Sequence, residues 1–328
     1  MRKARGQMSR KIGLPCLIVL SWLLCCVPVH GGGLDWGGGG DSGDDTACTP
    51  DNPLVIVPGP LGSPVRLTRF DEQTYLVADY SRKTIFQIDP SGIPSPTITT
   101  IGKPLSLAFK SVYKKNNILK ETNYYIGNDD GRSIDVYRVK KDMVELTYRY
   151  FVADNGIQAL DMVLAEALDQ LFVVDGTAQD IKVIQLDGEL LRSFGGGVLS
   201  SPKGIAIDTL TGEVFVSDYG DSSVGIPASV EVFGLDGSLQ RTIAGAFSRP
   251  QGLALTSDRL FVTDNMLAQV LEFDRTTGEK LKAHSCKGSS EGHLLLPMDV
   301  VVDDGGLNLF VADNRNMRVT ILSLTEGQ

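Results

Sequence analysis

Residues 202–218 read PKGIAIDTLTGEVFVSD, a pattern that indicates the type of fold. Two β-type runs lie in it, PKGIAID and EVFVSD, and the second ends in an aspartate. Proline suits the first residue of a strand because its missing N–H costs nothing there, and the small residues after it let strands crowd near an axis. Residues 250–264 repeat the wording as PQGLALTSDRLFVTD. The two stretches therefore indicate a repeated β-unit.

The second run recurs along the whole chain at a steady interval. Its copies end at Asp79, Asn128, Asp175, Asp218, Asp264 and Asp313, with spacings of 49, 47, 43, 46 and 49 residues. Each is followed by an alternating run, a turn pair such as Asp236-Gly237, and a weaker fourth strand. A period of this length fits one four-stranded unit per repeat. The sequence thus predicts an all-β fold, a six-bladed β-propeller of four-stranded antiparallel blades.

The ends of the chain predict how the ring closes. An apolar run, Leu54–Val57, precedes the first repeat without a unit of its own, and the sixth repeat stops before a fourth strand. If the N-terminal run completes the last blade, no strand edge stays open. We therefore expect one propeller domain over residues 52–328.

The first 51 residues predict export. Residues 1–31 carry a basic start and an uncharged apolar run, which is typical of a secretory signal peptide, and residues 32–51 form a Gly/Asp-rich flexible tether. We expect a secreted or periplasmic protein without membrane insertion after signal cleavage. Two alternatives stay open: an uncleaved membrane anchor, and lipid attachment at Cys25 or Cys26 that holds the protein on a membrane facing outside the cytoplasm.

Charge and cysteine content limit the possible partners. The chain has 31 basic and 40 acidic side chains, a formal net charge of −9, and removal of the leader makes it more acidic. This balance argues against nucleic acid as a partner, because phosphate binding needs a basic field. Outside the leader the sequence has two cysteines, Cys48 and Cys286, which can form one disulfide in an oxidising compartment.

The repeat wording resembles a known family. Pro-x-Gly-Ile-Ala-x-Asp, then a gap and Val-Phe-Val-x-Asp, resembles the NHL repeat, most clearly over residues 200–323. The resemblance implies a six-bladed propeller over the whole domain. It implies no single activity, because similar repeats occur in extracytoplasmic sensors, RNA-binding and ligase-associated modules, and amidating lyases.

One position of the inner strands varies between repeats. The third residue of the Pro-x-Gly phrase, which begins the inner strand of each repeat, is in chain order Arg66, Ser106, Asp161, Gly204, Gly252 and Asp299. In a ring of six, Asp161 and Asp299 could face each other across the central channel, with Arg66 beside Asp299. The alternative is that these side chains bond neighbouring backbone between the blades.

The turns after the six Asp/Asn residues collect on one face, which we call the turn face. Aromatic, Arg and Asn side chains on loops of a rigid scaffold are typical of recognition surfaces. Those predicted to bind ligand here are Tyr80, Arg82, Arg132, Tyr219, Asn265, Asn314 and Arg315. On the opposite face the second repeat carries an insertion, residues 110–122, with local positive charge.

The sequence favours binding over catalysis. It contains no Walker motif, and His284 and His293 flank Cys286 at a spacing that matches no structural zinc pattern. The six Asp/Asn residues are typical of turn capping rather than of cation binding. We expect a non-catalytic propeller, without metal or cofactor, that binds a protein, peptide or carbohydrate on its turn face. The alternative is a metal-dependent hydrolase or lyase with its site in the channel.

Overall fold

The computed structural model describes residues 53–57, 59–89, 91–141, 143–150 and 156–324. The predicted signal peptide and tether lie outside these residues. Within them the chain is almost entirely β-strand and turn, with one 3₁₀ turn at Glu166–Leu168. No helix in the described part of the chain is long and apolar enough to span a bilayer.

The strands form six four-stranded antiparallel sheets, here blades I to VI, and one N-terminal strand, β1 (Pro53–Val57). Blade I has β2 (Pro64–Arg69), β3 (Tyr75–Asp79), β4 (Thr84–Ile88) and β5 (Pro94–Thr99). Blade II has β6 (Pro104–Tyr113), β7 (Leu119–Asn128), β8 (Ser133–Lys140) and β9 (Met143–Tyr150). Blade III has β10 (Ala159–Ala165), β11 (Gln170–Asp175), β12 (Asp180–Gln185) and β13 (Leu190–Phe194).

The remaining blades follow the same plan. Blade IV has β14 (Pro202–Asp208), β15 (Glu213–Asp218), β16 (Ser229–Gly234) and β17 (Leu239–Ala244). Blade V has β18 (Pro250–Leu255), β19 (Arg259–Asp264), β20 (Gln269–Asp274) and β21 (Lys280–His284). A short parallel pair, β22 (Cys286–Lys287) and β23 (His293–Leu294), leads to blade VI, with β24 (Pro297–Val302), β25 (Asn308–Asp313) and β26 (Arg318–Ser323). The first strand of every blade contacts the first strands of its two neighbours, so these six strands surround the axis.

The predicted closure of the ring is confirmed. β1 pairs antiparallel with β26, with Val57 opposite Val319, and supplies the fourth strand of blade VI. Val57 is fully buried and packs in one apolar cluster with Leu61 and Ala312. The first and last strands of the fold therefore share one blade, and β1 covers the outer edge of β26.

The core lies between neighbouring blades. Phe172, Phe215 and Phe261 occupy the second strands of blades III, IV and V, and each is buried against apolar residues of the following blade. A large residue at this point is needed because the blades diverge away from the axis. Truncation of such a phenylalanine to alanine costs about 3–5 kcal/mol.

The Asp/Asn residues that end the second strands cap the turns, as predicted. Asp218 accepts hydrogen bonds from the amides of Ser200, Ser201 and Gly220 at 2.7, 2.8 and 2.6 Å. Asp264 binds four turn amides in the same manner. These carboxylates therefore fix the loops of the turn face.

Cys286 lies at the start of β22 and is disulfide-bonded. Its predicted partner, Cys48, lies outside the described residues, so the pairing of these two cysteines stays a prediction. His284 lies at the outer edge of blade V, where its Nε2 is 2.8 Å from Glu272 Oε2. His293 lies on β23, so neither histidine is on an inner strand.

Candidate functional site

Arg66 crosses the central channel near the start of the inner strands. Its Nε lies 3.1 Å from Asp161 Oδ1, and its Nη2 donates to the carbonyls of Leu160 and Lys203 at 2.9 and 3.0 Å. Its Nη1 donates to the carbonyl of Met298 at 3.1 Å. One guanidinium from blade I is thus bonded to the inner strands of blades III, IV and VI. It fills the channel at this level. The first strand of each blade has no strand beside it on the side that faces the channel, so its carbonyls there can bind the guanidinium.

The two channel carboxylates bind backbone between blades. Asp161 Oδ2 accepts from the amide of Ile205 at 3.0 Å, and Asp299 Oδ2 accepts from the amide of Leu67 at 2.8 Å. In each case the donor belongs to the next blade. Arg66 thus lies on the inner strand next to that of Asp299, but its ion pair is with Asp161, while Asp299 accepts from the amide of Leu67.

Burial controls the protonation of these acids. It raises the pKa of Asp299 to about 7; Arg66 opposes this shift and Asp161 adds to it. Burial likewise raises the pKa of Asp161, and Arg66 again opposes the shift. In the part of the chain that the structure describes, no group of three or more His, Cys, Asp or Glu side chains is placed to hold a metal ion. The geometry of the channel thus fits the alternative in which the carboxylates connect blades.

The small residues at the same position serve close packing. Ser106 Oγ donates to the carbonyl of Ala159 at 2.7 Å, again in the next blade. A Cβ at Gly252 would overlap the side chain of Asp299, and one at Gly204 would overlap the carbonyl of Gln251. The residue at this third position therefore differs between repeats because in each blade it makes a different contact with other blades.

A cavity of about 920 Å³ opens on the face opposite the turn face. Asp161 and Asp299 lie at its base. Its rim carries Asp303 and two ion pairs, Arg69–Asp304 and Arg259–Asp258. Its walls are the inner strands of all the blades. Sequence reasoning missed this cavity, because its width depends on how far the turns between first and second strands stand from the axis.

The turn face carries a cluster around Tyr219, which we call the Tyr219 cluster: Lys203, Tyr219, Arg249, Gln251 and Asn265. The hydroxyl of Tyr219 accepts a hydrogen bond from Asn265 Nδ2 at 2.9 Å and another from Gln251 Nε2. Lys203 Nζ lies 4.8 Å from the centre of the Tyr219 ring, and the guanidinium carbon of Arg249 lies 5.9 Å from it. Two cations from blade IV and the connection to blade V thus flank one aromatic ring.

The two cations of the cluster are not ion-paired within the part of the chain that the structure describes. Among the described residues neither Lys203 nor Arg249 forms an ion pair, and Arg249 is exposed. Burial lowers the pKa of Lys203; Asp218 opposes this, while Arg66 and Arg249 lower it further. Asp218 therefore acts on Lys203 through its charge, but its oxygens bind turn amides and it forms no ion pair with Lys203 among the described residues.

Burial raises the pKa of Tyr219 to about 12, so its phenol is neutral at physiological pH. The cluster therefore presents positive charge, a neutral hydroxyl and an aromatic face together. An oxyanion of a ligand is the group that this combination fits best.

The other predicted turn-face residues are not brought into this cluster. The hydroxyl of Tyr80 donates to Asp129 at 2.8 Å, and Arg132 donates to Thr177. Asn314 Nδ2 binds Ser63 Oγ at 2.9 Å and the carbonyl of Pro64 at 3.0 Å, which connects blade VI to blade I. Arg82 and Arg315 are exposed on the same face.

Sequence reasoning found Tyr219 and Asn265 but missed Lys203, Arg249 and Gln251. All three flank the proline that begins an inner strand, in Pro202-Lys203 and Arg249-Pro250-Gln251. Their position beside the repeated proline could have identified them, because the inner strands begin on the turn face.

Comparisons with known proteins agree with the fold and divide on the activity. No protein-family model matches the chain, so the NHL resemblance stays a prediction. Among curated proteins, Protein cueball of Drosophila grimshawi is 31% identical over 111 residues, which is 33% of this chain but 18% of that protein.

Solved structures similar to this chain are propellers. The nidogen/laminin complex contains a chain with a TM-score of 0.60 and 16% identity, covering 77% of this chain and 89% of its own. A streptogramin B lyase gives a TM-score of 0.56 and 11% identity, covering 81% and 95%. Virginiamycin B lyase from Staphylococcus aureus gives 0.54 and 13%, covering 79% and 80%. At these identities the likeness shows the fold alone, and the chain is a six-bladed propeller similar both to a member of a protein complex and to lyases.

Proposed function

We propose that the protein is an exported, non-catalytic recognition propeller whose turn face binds an anionic group of a protein, peptide or carbohydrate ligand. One observation carries this proposal: Lys203 and Arg249 flank Tyr219 on the turn face without an acidic partner among the described residues. Cations left unpaired beside an aromatic ring are suited to receive charge from a ligand.

The charge around the cluster supports an anionic ligand. Although the chain is acidic overall, Lys103 and Lys203 lie at or next to the starts of inner strands, and Arg82, Arg132 and Arg315 lie on the turns. One acid of this face, Asp130, is already ion-paired, because it lies 3.0 Å from Lys83 and 3.7 Å from Lys103. Such a local field raises the rate at which an anionic partner meets this face.

The channel gives less support to a hydrolase or lyase. Its acids are bonded to Arg66 and to backbone amides of the next blade, so they are engaged in joining the ring. The similarity to streptogramin and virginiamycin B lyases rests on the fold, which hosts many activities.

The proposed location outside the cytoplasm rests on the leader and on the disulfide of Cys286, because disulfides persist in oxidising compartments. The mass of the exported chain tests it. We expect an N-terminus near residue 32 and no lipid, whereas a lipid adduct on Cys25 or Cys26 contradicts free secretion.

Binding of a charged probe tests the site. We expect a hexaglutamate peptide to bind the full chain more tightly than hexaglutamine, and the double variant Lys203→Gln, Arg249→Gln to weaken hexaglutamate binding about tenfold, or about 1.4 kcal/mol. The matched control removes two exposed lysines of the outer strand β21, Lys280→Gln with Lys282→Gln, and keeps the wild-type affinity. Equal binding of the two peptides, or equal losses in both double variants, contradicts the proposal.

A further inference from the structure

Blade II is longer than the other blades at one end. Its first two strands, β6 and β7, have ten residues each, whereas the first two strands of the other blades have five to seven. Three to five extra residues at about 3.3 Å each extend this hairpin roughly 10–15 Å further. The extension projects from the face opposite the turn face, where first strands end and second strands begin.

Two hairpin tips lie side by side at this end. The β6–β7 turn follows Tyr113, and the β8–β9 turn joins Lys140 to its paired residue Met143. Thr122 of β7 pairs with Val139 of β8, so the second turn lies one residue beyond this pair, beside the shaft of the longer hairpin. The sheet therefore holds both turns on one rigid support.

The tips combine exposed apolar side chains with lysines. The large apolar residues are 46–70% exposed: Tyr113, Ile118, Leu119, Met143 and Val144. Exposed lysines surround them: Lys114, Lys115, Lys120, Lys140 and Lys141. Lys120 lies 3.4 Å from Glu121, and the other four form no ion pair among the described residues. We call this set of ten residues the blade II tips.

We propose that the blade II tips bind the surface of an anionic lipid membrane. Large exposed apolar side chains gathered on a soluble domain mark an interaction site. Lysines beside them complement anionic headgroups, while the apolar groups reach the boundary with the acyl chains. This contact is interfacial and needs no spanning segment.

The shape and the remaining charges favour a flat anionic surface as the occupant. The tips project beyond the ring, so a bilayer can meet them without contacting the rest of the face. The rim of the neighbouring cavity offers no unpaired cation among the described residues, because Arg69 pairs with Asp304 and Arg259 with Asp258, and Asp303 adds a negative charge that an anionic surface repels. Blade II therefore makes the contact alone, and the turn face with the Tyr219 cluster points away from the lipid.

Lysine acetylation of the full chain tests this proposal locally. The chain is labelled alone, with phosphatidylcholine vesicles, and with vesicles that contain about 30% phosphatidylserine, and each lysine is quantified by peptide mass spectrometry. We expect the labelling of Lys114, Lys115, Lys140 and Lys141 to fall about fivefold with phosphatidylserine only. Lys280, exposed on blade V, keeps its rate and serves as the reference in the same sample. Binding through the N-terminal leader leaves the tip lysines reactive and so cannot mimic this result.

Variants test the apolar part. Ile118→Ser with Leu119→Ser is expected to remove most of the protection, whereas Leu210→Ser, which removes a 96% exposed leucine from the blade IV turn on the same face, keeps it. Unchanged thermal unfolding shows that both variants fold. Equal labelling of the tips with and without phosphatidylserine overturns the proposal, and so does protection that survives Ile118→Ser with Leu119→Ser. Protection that grows with protein concentration in the absence of lipid also overturns it, because a second copy is then the occupant.

Discussion

At the scale of single residues, Arg66 holds the axis of the ring. Its charge is buried, and it is bonded to Asp161 and to three carbonyls of other blades. Removal of one partner of a buried ion pair leaves the other charge unpaired in a medium that solvates it poorly. The stability that Arg66 contributes to the fold therefore depends on the charge of Asp161.

We expect Arg66→Met to lower the free energy of unfolding by about 3–5 kcal/mol, as measured by urea denaturation. Addition of Asp161→Asn in that background is expected to recover part of the loss, because the unpaired charge disappears. If the double variant is no more stable than Arg66→Met, the pair does not act through charge.

Asp299 predicts a pH dependence. Its pKa is about 7 in the folded protein and near 3.8 when unfolded, so between these values the folded state keeps a proton that the unfolded chain has released. Its contribution to stability is fully present below the unfolded pKa and is lost as the pH rises towards 7. The slope is about 1.4 kcal/mol per pH unit for one proton.

The comparison with Asp299→Asn isolates this effect, since the amide does not titrate. We expect the stability of the wild type relative to this variant to fall as the pH rises from 5 to 7, followed by urea unfolding at each pH. A constant difference between the two proteins over this range contradicts the raised pKa.

Sequence reasoning reached some of these residues and missed others for a physical reason. The phase of the repeat placed Arg66, Asp161 and Asp299 on the axis, because a repeat fixes which position faces inward. It could not fix which carboxylate Arg66 meets, since that depends on the twist of each blade and on the amide of Leu67. Lys203, Arg249 and Gln251 were missed because they come from two stretches of the chain that the fold brings to Tyr219.

At the scale of elements, β1 is the strand that closes the ring. Its pairing with β26 was predictable from the leftover apolar run and the incomplete last repeat. The length of blade II was also visible as an insertion. The exposure of its apolar residues was not, because a periodic pattern alone does not tell a packed strand face from an open one.

Deletion of residues 52–58 is expected to leave β26 with a free edge and to remove the buried Val57. We expect aggregation or loss of the cooperative unfolding transition, measured by size-exclusion chromatography and calorimetry. The control deletes residues 32–45, which leaves β1 intact, and unfolds like the full chain. A deletion of 52–58 that unfolds normally shows that closure by β1 is not needed for stability.

At the scale of the whole molecule, the two faces of the ring differ in charge and shape. On the turn face Lys203 and Arg249 form no ion pair with a described residue, whereas the opposite face has a cavity, whose rim carries paired acids and arginines, and the projecting blade II tips. If the tips rest on a membrane, the turn face is presented to partners in solution. The turn face and the opposite face of the propeller therefore differ in electrostatic character.

Site-specific photo-crosslinking, carried out in the extracytoplasmic fluid where we propose that the protein acts, tests recognition through the Tyr219 cluster. A photoreactive phenylalanine analogue replaces Met266, 52% exposed beside the Tyr219 cluster, or, as the matched control, Leu210 on the opposite face. We expect one defined partner to be captured from position 266 and not from 210, and to be lost when Lys203→Gln and Arg249→Gln are added. Capture from position 210 alone, or capture from 266 that survives both charge removals, contradicts recognition through this cluster.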